Sequence, residues 1–118
     1  MKQVVTVRNL TIGEGVPKIC VPIVATTEEE IIRQAEEIMK NPADLIEWRV
    51  DYFEDAYNLE AVASALREIR KVIGEMPLLF TFRSEREGGC KAIGSKDYFA
   101  LNLAVAMYGV VDLIDIEI

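Results

Sequence analysis

Four short apolar runs begin at Lys18, Asp44, Pro77 and Val110, and an amphipathic helical segment fills each interval between them. Successive starts lie roughly 30 residues apart, the length that a strand and its crossover helix require. Parallel strands need crossovers of this kind, whereas antiparallel strands can be joined by tight turns. Residues 18–118 therefore read as strand, helix, strand, helix, strand, helix, strand, an α/β chain with a parallel sheet. Residues 1–15 form a separate hairpin-sized piece. Two extended segments from Val4 to Ile12 flank Arg8-Asn9, the loop Gly13-Glu14-Gly15 follows, and the whole is expected to lie as a lid on one end of the fold.

Local chemistry marks the helix ends. Thr27 is placed to cap the first helix, with Glu30 three residues on as its capping-box partner and Glu28 and Glu29 at the positive end of the dipole. Ile31, Ile32, Ala35, Ile38 and Met39 supply the apolar stripe, and Asn41-Pro42 ends it. Asn58 caps the second helix, whose stripe is Leu59, Val62, Leu66, Ile69, Val72 and Ile73, and Gly74 stops it. Ser95 is expected to cap a third helix through Tyr98, Leu101, Val105 and Tyr108, stopped by Gly109. The first run, Lys18 to Ala25, is almost continuously apolar, as in a strand covered on both faces. Pro22 interrupts it, and the missing amide suggests an edge position.

The 118 residues, 51% apolar and 28% charged, suit a single globular unit with one core. No run approaches the roughly 18 apolar residues of a membrane span, and Met1-Lys2-Gln3-Val4-Val5 lacks the apolar region of a signal peptide. A cytoplasmic location is the expectation. Thirteen basic against twenty acidic residues leave a net charge of −7, which disfavours nucleic acid and anionic membranes as partners. Cys20 and Cys90 form no zinc or redox spacing and are expected to be reduced thiols. No dinucleotide fingerprint or Walker-type loop follows the first strand, and Val24-Ala25-Thr26-Thr27-Glu28 has no glycine for a phosphate, so a flavodoxin-like binding domain is disfavoured.

Charges in the strands point to a site. In Asp44-Leu45-Ile46-Glu47-Trp48-Arg49-Val50-Asp51, alternation puts Leu45, Glu47, Arg49 and Asp51 on one face and Ile46, Trp48 and Val50 on the other. A buried carboxylate and guanidinium cost several kcal/mol unless paired or bound to something. A strand that keeps both is expected to line a polar site rather than to be an edge strand with a solvated face. The third strand repeats the arrangement with Leu79, Thr81 and Arg83, and the fourth with Leu113, Asp115 and Glu117 opposite Ile114, Ile116 and Ile118. Parallel α/β folds place their sites at the carboxyl ends of the strands. An arginine offers a rigid fork of donors, and a neighbouring carboxylate accepts from hydroxyls. Glu47, Arg49 and Arg83 thus describe a pocket for a small polyhydroxylated acid. The chain has no histidine, and no lysine is expected at a strand carboxyl end, so neither an imidazole base nor a Schiff base is at hand.

These residues resemble the type I 3-dehydroquinate dehydratases. The likeness lies in Arg8-Asn9-Leu10 with Ile12-Gly13-Glu14-Gly15 and Pro17-Lys18-Ile19-Cys20-Val21, and in Ile46-Glu47-Trp48-Arg49-Val50-Asp51. It continues in Leu79-Phe80-Thr81-Phe82-Arg83-Ser84 with Glu87-Gly88-Gly89, and in Val111-Asp112-Leu113-Ile114-Asp115-Ile116-Glu117. The resemblance implies a (β/α)8 TIM barrel of which residues 1–118 are half: four parallel strands, three helices and the N-terminal hairpin. It implies dehydration of 3-dehydroquinate to 3-dehydroshikimate through a lysine imine, with a histidine as proton shuttle and no metal or cofactor. By motif, Glu47, Arg49 and Arg83 match substrate-contacting residues, Glu87 an acid near the catalytic histidine, and Glu117 an interior acid of strand four. Pro22 stands where some members carry a substrate-contacting serine.

The sequence stops within strand four, about where the family's barrel is half built, so the imine lysine, the histidine and a later carboxylate-binding arginine have no counterpart in it. No residue receives a catalytic role, and the chain alone is expected to be inactive. Strands one and four would be unpaired edges. Two copies could pair strand one of each with strand four of the other, so a homodimer or higher assembly is the expectation. The competing reading is a non-catalytic module, a self-assembled half-barrel that binds small acids or simply folds.

Overall fold

Caps and alternation set the element boundaries in the computed structural model, which describes residues 4–8, 10–12 and 17–117. The N-terminal hairpin is formed by β1 (Val5–Val7) and β2 (Leu10–Ile12), antiparallel, with Val5 opposite Ile12 and Val7 opposite Leu10. Arg8 turns the chain with φ +53°, the left-handed region. Asn9 and the loop Gly13-Glu14-Gly15 lie outside the described residues.

The strands β3 (Cys20–Ile23), β4 (Leu45–Arg49), β5 (Leu78–Thr81) and β6 (Leu113–Asp115) form one parallel sheet in sequence order. They are joined by α1 (Glu28–Ile38), α2 (Leu59–Ile73) and α3 (Ser95–Tyr108). The expected longer strands shrink at both ends because the flanking residues turn into loops. Val50–Tyr52 is a single tight helical turn, and Val110 to Asp112 and Ile116 to Glu117 are not strand. Ile118 lies outside the described residues.

The caps act as their chemistry dictates. Thr27 Oγ1 accepts from Glu30 N at 3.2 Å, and Asn58 Oδ1 accepts from Glu60 N and Ala61 N at 3.0 and 3.2 Å. Gly74 and Gly109 follow α2 and α3 with φ +59° and +73°, where a side chain would be strained. Ser95 is not the cap of α3. Gly94 holds that position in extended conformation, and its carbonyl already accepts the first intrahelical bond, from Tyr98 N at 2.9 Å.

Register fixes what each face carries. Ile23, Trp48, Phe80 and Ile114 are aligned across the sheet, as are Val21, Ile46 and Leu78. This is the helix-covered face, where Trp48 meets Phe80 edge-on at 5.7 Å and Phe53 at 5.8 Å. Ile31 and Ala35 of α1 and Val62, Leu66, Ile69 and Ile73 of α2 close over it. Each large side chain so buried contributes about 1.5–3 kcal/mol. Ile116, on the same face by alternation, is 54% exposed because no helix of the described residues covers it.

The outer strands are partly capped along their edges by side chains. Successive peptide groups of a strand point to opposite sides, and Ile19 O faces β4 by accepting from Leu45 N. Cys20, Pro22 and Val24 therefore face outward. Pro22 has no amide to offer, and the Gln34 side chain of α1 accepts from Val24 N at 2.9 Å and donates to Val24 O at 3.5 Å. At the other edge, the Tyr98 hydroxyl of α3 accepts from Glu117 N at 2.8 Å and donates to Asp115 O at 3.3 Å. No helix of the described residues is long and apolar enough to cross a membrane.

Candidate functional site

The face opposite the helices carries the charges. Pro22, Glu47, Leu79 and Leu113 form one row across the sheet, and Arg49, Thr81 and Asp115 form the next, nearer the carboxyl ends. Arg83 follows just beyond β5, and its Nη2 lies 3.5 Å from Asp115 Oδ2. Glu47, Arg49 and Arg83 thus share one face and one end. Glu47 is oriented by the buried Thr81, whose hydroxyl donates to Glu47 Oε2 at 2.7 Å.

Asp51 organises the carboxyl end. Its side chain is fully buried and its two oxygens accept four hydrogen bonds: from Arg49 Nε at 3.0 Å, Arg49 Nη2 at 2.9 Å, Arg83 N at 3.3 Å and Cys90 N at 3.2 Å. Its carbonyl accepts from Lys91 Nζ at 3.0 Å. Burial alone would raise the Asp51 pKa, but the Arg49 guanidinium and the Cys90 and Arg83 amides outweigh it and hold the carboxyl below its ordinary value. The hydrogen bond to Asp51 likewise raises the Arg49 pKa. The Arg49 guanidinium also lies over the Tyr52 ring, 5.2 Å from its centre.

The loop after β5 packs tightly against this end. Gly89 N donates to Ser84 O at 2.8 Å, and a Cβ at Gly89 would fall 1.7 Å from Arg83 O, so only glycine fits. Glu117 clasps the start of the loop, accepting from Ser84 N at 2.7 Å and Ser84 Oγ at 2.9 Å. Glu87 lies exposed on the single turn Glu85–Glu87. Glu87 and Glu117 meet in a cavity of about 510 Å³, which Ser84, Arg86, Tyr98 and Phe99 also line. Glu47, Arg49 and Arg83 are not among its walls, so the site residues divide between the open sheet face and this adjoining cleft.

Three participants escaped the sequence reading. Asp51 was legible as polar-facing but not as a hub, Thr81 as a face residue but not as the partner of Glu47. Lys91 reads as a loop lysine, yet folding brings its amine to the carboxyl end. Cys20 and Cys90 are both free thiols. Partial desolvation and then the Glu47 carboxylate push the Cys20 thiol up.

The chain is similar to known proteins along its length. Residues 19–118 match the family model for type I 3-dehydroquinase. The 3-dehydroquinate dehydratases of Clostridium botulinum and Clostridioides difficile are 47% and 50% identical over all 118 residues. A solved type I 3-dehydroquinate dehydratase from Clostridium difficile, with covalently modified comenic acid, superposes with a TM-score of 0.98 at 50% identity, covering 100% of this chain and 46% of that one. The Geobacillus kaustophilus enzyme superposes with a TM-score of 0.93 at 37% identity, covering 98% and 47%. The chain spans about half the length of the curated relatives it matches, 46% of each clostridial protein. Four parallel strands in sequence order, three crossover helices and an N-terminal hairpin match under half of these TIM-barrel enzymes. A match this extensive, in sequence and in backbone alike, means that the chain belongs to the type I 3-dehydroquinase family.

Proposed function

We propose that this chain supplies the Glu47, Arg49 and Arg83 part of a binding site for 3-dehydroquinate or a closely related polyhydroxylated carboxylic acid. The observation that carries the reading is the clustering of these three side chains on one sheet face at the strands' carboxyl ends. Glu47, oriented by Thr81, offers an acceptor for substrate hydroxyls, and the two arginines offer donors for hydroxyl or carboxylate oxygens. Glu87 and Glu117 flank the site from the adjoining cleft. In the proposed scheme none of the chain's own residues is the catalyst. There is no histidine to move a proton at neutral pH, and Lys91, whose amine lies at this end, donates to the Asp51 carbonyl. Dehydration to 3-dehydroshikimate then needs groups beyond these 118 residues. The test is turnover of 3-dehydroquinate by the pure 118-residue chain, with full-length dehydratase excluded from the preparation. No turnover is the expected result, and sustained turnover would refute it.

A second reading is a homodimer in which two half-barrels associate and bind small acids without catalysis. It is favoured by the apolar outer stripe of α3, where Phe99, Leu103 and Met107, spaced four apart, are 67%, 50% and 79% exposed. Light scattering coupled to size exclusion decides it, since a monomeric mass at high concentration removes the dimer.

A further inference from the structure

We infer that Asp51 is a positioning residue, which locks the Arg49 guanidinium in one orientation and ties the loop after β5 to it. This rests on the reading of Arg49 as a substrate contact but goes beyond it, because Asp51 itself is fully buried. Arg49 gives Nε and Nη2 to the two oxygens of Asp51 and has no other side-chain hydrogen-bond or ion-pair partner among the described residues. That bidentate grip fixes the plane of the guanidinium and leaves its remaining edge for a ligand. Tyr52 stacks below the same group. A long side chain held in this way loses little further freedom when it binds, which is how a supporting residue raises affinity without contact.

The same carboxylate reaches the loop. Its remaining acceptor capacity goes to Arg83 N and Cys90 N, the two ends of the segment that carries Glu87, while Lys91 anchors on the Asp51 carbonyl. One side chain therefore links the orientation of Arg49 to the backbone at both ends of the loop, Arg83 and Cys90. Asp51→Asn keeps the shape but replaces one oxygen by an amide NH2, which faces both an Arg49 N–H and a backbone N–H whichever way the side chain is turned. A donor would then oppose a donor, and the grip would fail.

The experiment is NMR of the arginine Nε–H groups in the 118-residue chain, combined with calorimetric titration of shikimate. Arg49→Lys identifies the Arg49 signal by its loss. The expected result is a separate, exchange-protected Arg49 Nε–H in the wild-type chain that merges with the exposed arginines in Asp51→Asn, and a shikimate Kd raised roughly tenfold or more in that variant. An Arg49 signal already averaged in the wild type overturns the proposal, and this measurement needs no folded Asp51 variant. Wild-type affinity in Asp51→Asn, with binding abolished by Arg83→Ala, overturns it while leaving the substrate site standing. Failure of the wild-type chain to bind shikimate removes support for the substrate site instead, and the Nε–H signal alone then decides the role of Asp51.

Discussion

Two aspartates at opposite ends of the sheet do similar chemistry with different results. At the amino end, Asp112 accepts from Leu78 N, Arg70 Nη2 and Arg8 Nε, each at 2.9 Å. At the carboxyl end, Asp51 accepts from two backbone amides and from both prongs of Arg49. Each carboxyl is held below its ordinary pKa, because its donors outweigh the cost of desolvation. The difference lies in the arginines. Arg70 also donates to the Gly74, Met76 and Val110 carbonyls, and Arg8 also pairs with Glu75. All are anchored in protein, so the amino end is a closed joint between hairpin, α2 and sheet. Arg49 is only half engaged, and Arg83 has one long contact with Asp115. The carboxylate at the carboxyl end thus holds a cation that keeps donors to spare, and the one at the amino end does not.

Acid should loosen both ends together and gives the largest effect. Folded pKa values below the ordinary 3.8 mean that the unfolded chain takes up protons first as pH falls. The stability supplied by both carboxylates is complete above that value and is lost as pH drops through the folded pKa values. Urea midpoints should fall steeply from about pH 4 downward, and less steeply in Asp112→Asn. Next, Asp112→Ala leaves Arg8, Arg70 and Leu78 N without their shared acceptor and should cost about 3 kcal/mol in urea unfolding. Where the variant remains folded, shikimate affinity should stay as in the wild type; an altered affinity would break the distinction between the two ends. Gly89→Ala forces the loop away from the Arg83 carbonyl and should cost about 2 kcal/mol, with faster tryptic cleavage at Arg86. The smallest stability effect belongs to Arg83→Ala, within about 0.5 kcal/mol because its ion pair is long and solvated. That variant should nevertheless lose shikimate binding, the sharpest contrast with Asp112.

What the sequence made legible was local or periodic. Thr27, Asn58, Gly74 and Gly109 mark helix ends through nearest-neighbour chemistry, and alternation alone sorts Trp48 from Glu47 and Arg49. Ser95 misled because serine is the usual cap, while the extended backbone that decides the matter belongs to Gly94. Asp51 needed more than alternation. The strand ends at Arg49 and Val50–Tyr52 is a tight turn, so strand periodicity does not extend to Asp51, and its partners Arg83 N and Cys90 N come from a loop more than thirty positions away. Partners such as Thr81 for Glu47 and Ser84 for Glu117 depend on register between strands some thirty positions apart.

The side chains along the sheet's edges change the nature of any encounter there. A strand arriving beside β6 would find the Glu117 amide and the Asp115 carbonyl already satisfied by the Tyr98 hydroxyl, and one arriving beside β3 would meet Gln34 on both polar groups of Val24. Extension of the sheet at those points is an exchange of partners rather than an addition. Its driving force must then come from burying side chains such as Phe99, Leu103 and Met107, with the backbone bonds themselves close to neutral.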